Sequence, residues 1–203
     1  VLTCALPISK ADGTKFGKTE SGTVWLDPKK TSPYEMYQFL VNAEDAKVVE
    51  YLKRLTFLDK EEIERLEECV KNEPHLREAQ KVLGREVVTF LHGSDAYETA
   101  LKITNALFRG NIRELSADEQ RDALSSMEKV QVSEAMDLAS TLVSAKIASS
   151  KREAREWIKS GSIQINGEKV QDETRVIDAS SALVDDMILI KRGKRNYYVL
   201  TFA

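Results

Sequence analysis

Apolar positions recur at helical spacing through the first half of the chain and at strand spacing near its end. Ser32-Pro33-Tyr34-Glu35 is a helix start: Ser32 can cap, Pro33 stands where its missing N–H costs nothing, and Glu35 completes a capping box. Asp59 and Glu62 precede Ile63, Leu66 and Val70 in a second helical pattern. Pro74 opens another, with Leu76, Ala79, Val82, Leu83, Val87, Phe90 and Leu91 on one face and Gly93 as its stop. Ser94 begins the next, with Tyr97, Leu101, Ile103 and Leu107 facing inward and Gly110 ending it. Residues 32–112 therefore read as a helical domain. Residues 113–131 are polar and charged, with short helical potential over 118–127, and read as a linker.

From residue 132 the pattern changes. Val132, Ala135, Met136, Ala139, Leu142 and Val143 predict one amphipathic helix, and Ser150 begins a second. Residues 162–170 then alternate and turn at Asn166-Gly167, a favoured hairpin pair. Residues 187–190 and 197–202 form a second strand pair around Gly193. The predicted class is α+β: an all-α helical domain, then a small α/β domain over residues 132–203 in which two helices pack on a small sheet.

Composition narrows the chemistry. A chain of 203 residues is long enough for one or two domains with real cores, and its net charge of −3 argues against indiscriminate nucleic-acid binding. Cys4 and Cys69 form no C-x-x-C pair, and neither His75 nor His92 has ligand-spaced partners, so no disulfide framework or metal site is expected. Cys69 falls in the Ile63, Leu66, Val70 pattern and reads as a small, buried or half-buried residue. No apolar run reaches membrane-span length, residues 1–9 fail as a signal peptide, and a cytoplasmic location is expected.

Gly13-Thr14-Lys15-Phe16-Gly17-Lys18-Thr19 is a flexible, cationic, hydrogen-bonding segment suited to gripping a polyphosphate. As a Walker A loop it fails, because three residues rather than four separate its glycines and polar, glycine-broken sequence follows it. Lys15-Phe16-Gly17-Lys18-Thr19 instead resembles the mobile signature loop of class I aminoacyl-tRNA synthetases, in the form carried by bacterial tyrosyl-tRNA synthetases. The likeness runs from Lys10 through Asp27, resumes at Thr31-Ser32-Pro33-Tyr34-Glu35-Met36-Tyr37-Gln38-Phe39, and extends to the chain's end.

That resemblance implies a tyrosine–tRNA ligase: ATP activates tyrosine, and the adenylate then esterifies tyrosine tRNA. Lys15, Lys18 and Thr19 would act on the ATP β- and γ-phosphates, Gly17 and Lys18 would contact ATP, and Gly13 and Gly17 would let the loop move. A Rossmann-type catalytic domain with a His-x-Gly-His-like motif would precede the loop, yet only nine residues stand before Lys10. The chain is thus expected to be a C-terminal piece of a longer protein: residues 1–31 the edge of the catalytic domain, 32–112 an anticodon-binding domain. Residues 1–9 match the family poorly. The parent would be a homodimer and this piece a monomer. Its loop, without a partner domain, is expected to be disordered and idle, without ATP.

The last domain resembles the S4-type RNA-binding domain in Ser150-Lys151-Arg152-Glu153-Ala154-Arg155 and Gly161-Ser162-Ile163-Gln164-Ile165-Asn166-Gly167. Ser150 and Glu153 form a capping box, and Lys151, Arg155 and Lys159 recur every four residues with Arg152 beside them. Ala154, Trp157 and Ile158 point the other way. Such a stripe can follow a phosphate backbone, helped by the N–H groups of the helix start, or be a solvated face softened by Glu153 and Glu156. Lys191-Arg192-Gly193-Lys194-Arg195 adds four cations at a turn beside Tyr197 and Tyr198. It suits structured RNA, or serves as a charged turn guarding an edge strand. The alternative to a ligase is a non-enzymatic S4-type RNA-binding module, which would have no use for an ATP loop.

Overall fold

The computed structural model describes residues 8–9, 13–19, 22–125, 127–193 and 196–202, with the side chains of Lys18 and Thr19 outside the description. By internal contact the chain divides into two units, Val1–Leu101 and Lys102–Ala203.

The first unit opens with a small antiparallel hairpin, β1 (Lys18–Thr19) and β2 (Gly22–Thr23). Four helices follow: α1 (Pro33–Val41), α2 (Asp45–Leu55), α3 (Lys60–Asn72) and α4 (Glu78–His92). The capping box at α1 forms in both directions, at 3.1 Å to Ser32 Oγ and 2.9 Å back to Glu35. α4 is the hub against which α1, α2 and α3 pack, so it buries Ala79, Gln80, Val82, Leu83, Gly84 and Val88. Burial of Gln80 is compensated by hydrogen bonds from its amide to Asp45 and the Ala43 carbonyl. The Arg77 guanidinium donates to the Val41 and Ala43 carbonyls, closing the end of α1.

Two expectations change here. Pro74 opens a 3-10 turn, Pro74–Leu76, and α4 starts only after Arg77 takes a left-handed φ of 52°. Phe90 lies exposed beside Phe57, because Val88 supplies the last buried position of that helix face. α2 starts without a side-chain cap and buries Val48, Tyr51 and Leu52.

α5 (Ser94–Arg109) carries the chain into the second unit, which continues through α6 (Ala117–Ser125), β3 (Lys129–Val132), β4 (Met136–Asp137), α7 (Leu138–Ser144) and α8 (Lys151–Lys159). Then come β5 (Ile163–Ile165), β6 (Glu168–Lys169), β7 (Val176–Ile177), β8 (Met187–Arg192) and β9 (Asn196–Phe202). A five-stranded sheet has the order β3-β9-β8-β5-β6, antiparallel except for β3 against β9. Leu138, Leu142, Ala154 and Ile158 from α7 and α8 join Ile163, Ile165, Ile188, Ile190 and Leu200 in one core. Residues Ala106, Leu107, Gly110 and Ile112 line a crevice with Leu189, Lys191 and Tyr197 on the other strand positions. β8 is therefore covered on both faces, which is why it reads as a continuous apolar run.

The Asn166-Gly167 turn forms as expected, with φ of 51° and 87°. The expected linker, residues 113–131, is instead built into this unit: Ile112, Leu115, Ala123 and Leu124 are buried, and Lys129–Val132 is the outer strand β3. The helix expected from Val132 begins at Leu138, because Val132 is committed to β3 and Asp137 caps α7 by accepting from the Ser140 N–H at 2.9 Å.

Candidate nucleic-acid interface and phosphate loop

α8 is positioned by its two faces. Ala154 and Ile158 are fully buried, Trp157 is half-buried, and Lys151, Arg152, Arg155 and Lys159 are exposed. Ser150 caps the helix, accepting from the Glu153 N–H at 3.2 Å. The reciprocal bond lands one residue early, where the Glu153 carboxylate accepts from the Ser149 N–H and hydroxyl, each at 2.7 Å. The Ser149 hydroxyl, then its N–H, hold the Glu153 carboxyl below the usual range, with Arg192 adding to the effect. Glu153 thus stays anionic while turned into the cap.

The stripe is partly paired. Arg152 Nε lies 3.3 Å from Glu156, and Arg155 Nε lies 3.3 Å from Glu173 in the loop after β6. Both are surface pairs, each worth well under about 1 kcal/mol, and a phosphate can displace either carboxylate. Arg192 joins this surface from β8: its guanidinium sits 4.5 Å from the Trp157 ring centroid and donates to the Ile147 carbonyl at 3.3 Å. The structure thus brings Ser150, Lys151, Arg152, Arg155, Lys159 and Arg192 into the second unit's cationic surface. Lys194 and Arg195 lie outside the described residues.

Lys191 does not belong with them. It is buried, and its ammonium donates to the Leu107 and Phe108 carbonyls at 3.1 and 3.2 Å. Tyr197 donates to the same Leu107 carbonyl at 3.2 Å. Carbonyls in the last turn of a helix have no partners within it, and a cation there also meets the negative end of the helix dipole. Lys191 is a helix-end cap. Glu173 and the Trp157–Arg192 stack were missed, because each depends on a partner remote in sequence.

In the first unit Gly13 and Gly17 take φ of 83° and 87°, a region open to glycine. Lys15 is exposed, and its backbone forms an antiparallel bridge with Ser9. The Phe16 N–H donates to the Ile8 carbonyl at 2.9 Å, and the Val24 N–H to the Gly17 carbonyl at 2.7 Å. The expected disorder of the loop is not what the described residues show: they make a hairpin, held because Phe16 stacks on Phe39 and Tyr51 with centroids 4.9 and 4.2 Å away. An exposed lysine on a glycine-flanked hairpin fits an anionic oxygen cluster such as a polyphosphate.

Cys69 is half-buried. Among the described residues no group of three His, Cys, Asp or Glu could hold a metal ion, and no helix is long and apolar enough to cross a membrane.

Residues 1–109 match the family model of tRNA synthetases class I (W and Y), so residues 1–9, expected to match poorly, lie within the match, and residues 119–200 match that of the tyrosine–tRNA ligase SYY-like C-terminal domain. A tyrosine–tRNA ligase of Staphylococcus carnosus is 48% identical over 196 residues, covering 96% of this chain and 47% of that protein. One from Limosilactobacillus fermentum is 51% identical over 189 residues, covering 93% and 45%. A solution structure of a tyrosyl-tRNA synthetase C-terminal domain is 37% identical, covers 47% of this chain and 98% of that one, and has a TM-score of 0.38. The chain spans about half the length of the curated relatives it matches.

Proposed function

Because the chain belongs to the tyrosyl-tRNA synthetase family, we propose that it binds tyrosine tRNA and contributes the phosphate-gripping loop of a tyrosine–tRNA ligase. Residues 132–203 are the S4-like RNA-binding domain, 32–112 the anticodon-binding domain, and 1–31 the edge of a catalytic domain. The observation that carries this reading is the pairing, in one chain, of a lysine hairpin with a cation-striped helix. A plain RNA-binding module accounts for the helix and leaves the hairpin without a role.

In tyrosine activation the substrate carboxylate attacks the ATP α-phosphorus and pyrophosphate leaves. Lys15 and Lys18 neutralise the charge that builds on the leaving phosphates, Thr19 donates a hydrogen bond to them, and the Gly17 backbone approaches closely. None of these is a nucleophile or a general base. His75 and His92, the only histidines, stand outside any His-x-Gly-His-like motif. The chain alone therefore leaves tyrosine unactivated. We further propose a cytoplasmic location, a homodimeric parent and a monomeric chain.

Equilibrium binding to tyrosine tRNA, with and without its long variable arm and across a salt series, tests the reading against a non-cognate tRNA. Preference for the intact cognate molecule supports it. Equal binding to all three replaces it with the generic RNA-binding module. Changing Lys151 and Arg155 together to Ala should weaken binding and flatten the salt dependence by about one unit of slope per lost phosphate contact. An unchanged slope removes α8 from the interface.

A further inference from the structure

The lysine hairpin carries one large apolar residue among its polar ones. Phe16 lies between Lys15 and Lys18 in sequence, and its ring turns inward onto Phe39 of α1 and Tyr51 of α2. Tyr51 is buried, and its hydroxyl donates to the Ser9 carbonyl at 3.0 Å. One side chain thus holds the hairpin twice, through the Phe16 ring and through Ser9, whose backbone bridges Lys15. Gly13 and Gly17 have nothing near where a Cβ would stand, so they serve the backbone path and leave the anchoring to Phe16.

We propose that Tyr51 is a positioning residue for the phosphate loop: with Phe39 it forms an aromatic socket for Phe16 that fixes the hairpin backbone carrying Lys15. The socket belongs to the helical unit, and the pose of the cationic loop is set by α1 and α2. Such an anchor lowers the entropy that is lost when an anion orders the hairpin, which favours binding. The proposal rests on the reading that the hairpin meets a polyphosphate.

The test uses this chain, with inorganic tripolyphosphate as the probe. Wild type, Lys15→Ala, Tyr51→Leu and Tyr51→Phe are titrated by amide NMR, and hydrogen exchange is followed at Phe16, Val24 and the α4 amides. Tyr51→Leu should bind about fivefold more weakly, the scale of one lost aromatic pair, and exchange faster at Phe16 and Val24 with α4 unchanged. Tyr51→Phe keeps the ring and loses only the hydroxyl bond to Ser9, so its affinity should fall between those of wild type and Tyr51→Leu. Wild-type affinity or unchanged loop exchange in Tyr51→Leu overturns the proposal. So does a Tyr51→Phe variant as weak as Tyr51→Leu. If wild type ignores tripolyphosphate, the phosphate reading falls and the proposal with it. If Lys15→Ala weakens binding while Tyr51→Leu does not, the proposal alone falls.

Discussion

Gly167 shows how much a single residue can carry. Its φ of 87° already favours glycine, and a Cβ there would run into the Gly110 carbonyl oxygen. Gly167→Ala should therefore destabilise the second unit by about 2–4 kcal/mol, read as a lower denaturant midpoint. Asn166-Gly167 announces its turn in sequence, because turn chemistry is local. Gly110 announces only the end of α5, and nothing local to either glycine says that the two backbones meet. The same limit applies to the basic block. Its cations are plain in the sequence, but the Leu107 and Phe108 carbonyls that claim Lys191 come from α5. Phe16 looked like one residue of a motif until Phe39 and Tyr51 placed it.

At the scale of elements, Lys191 gives a sharp contrast with α8. Lys191→Met removes the donor to two carbonyls at the end of α5, and should cost about 1–3 kcal/mol in a denaturation experiment. It should leave the salt slope of RNA binding unchanged, whereas loss of a phosphate contact would lower the slope by about one. α1 and α8 were legible because caps and periodicity lie within a few residues of each other. β3 was not, because its pairing with β9 is parallel and spans most of the second unit. A polar pattern such as Lys129-Val130-Gln131-Val132 is a strand only once that partner exists. Misreading it moved the start of α7 six residues too early, from Leu138 to Val132.

Across the molecule, charged groups set a window of stability in pH. Lys102 holds the Glu119 carboxyl below its usual range, the Ser140 hydroxyl does so for Asp137, and Arg121 does so for Asp185. A carboxyl lowered on folding stabilises above its unfolded pKa, and that contribution is lost as pH falls through the folded value. In the first unit burial, and then Tyr97, push Tyr37 from 10.0 to about 12. A phenol raised on folding stabilises fully below its unfolded pKa, and that contribution is lost between pH 10.0 and about 12. Denaturant midpoints should be flat near neutrality and fall on both sides, and Tyr37→Phe should remove much of the alkaline fall. The sheet order has a consequence for how the protein is made. β9 is the last of its strands to be synthesised, yet it lies between β3 and β8. On the ribosome, Met187-Ile188-Leu189-Ile190 must wait with one edge unpaired, and β3 has no strand partner among the described residues until β9 emerges. The second unit is therefore assembled late, and its nascent form is the stage at which an apolar strand stands open to other chains.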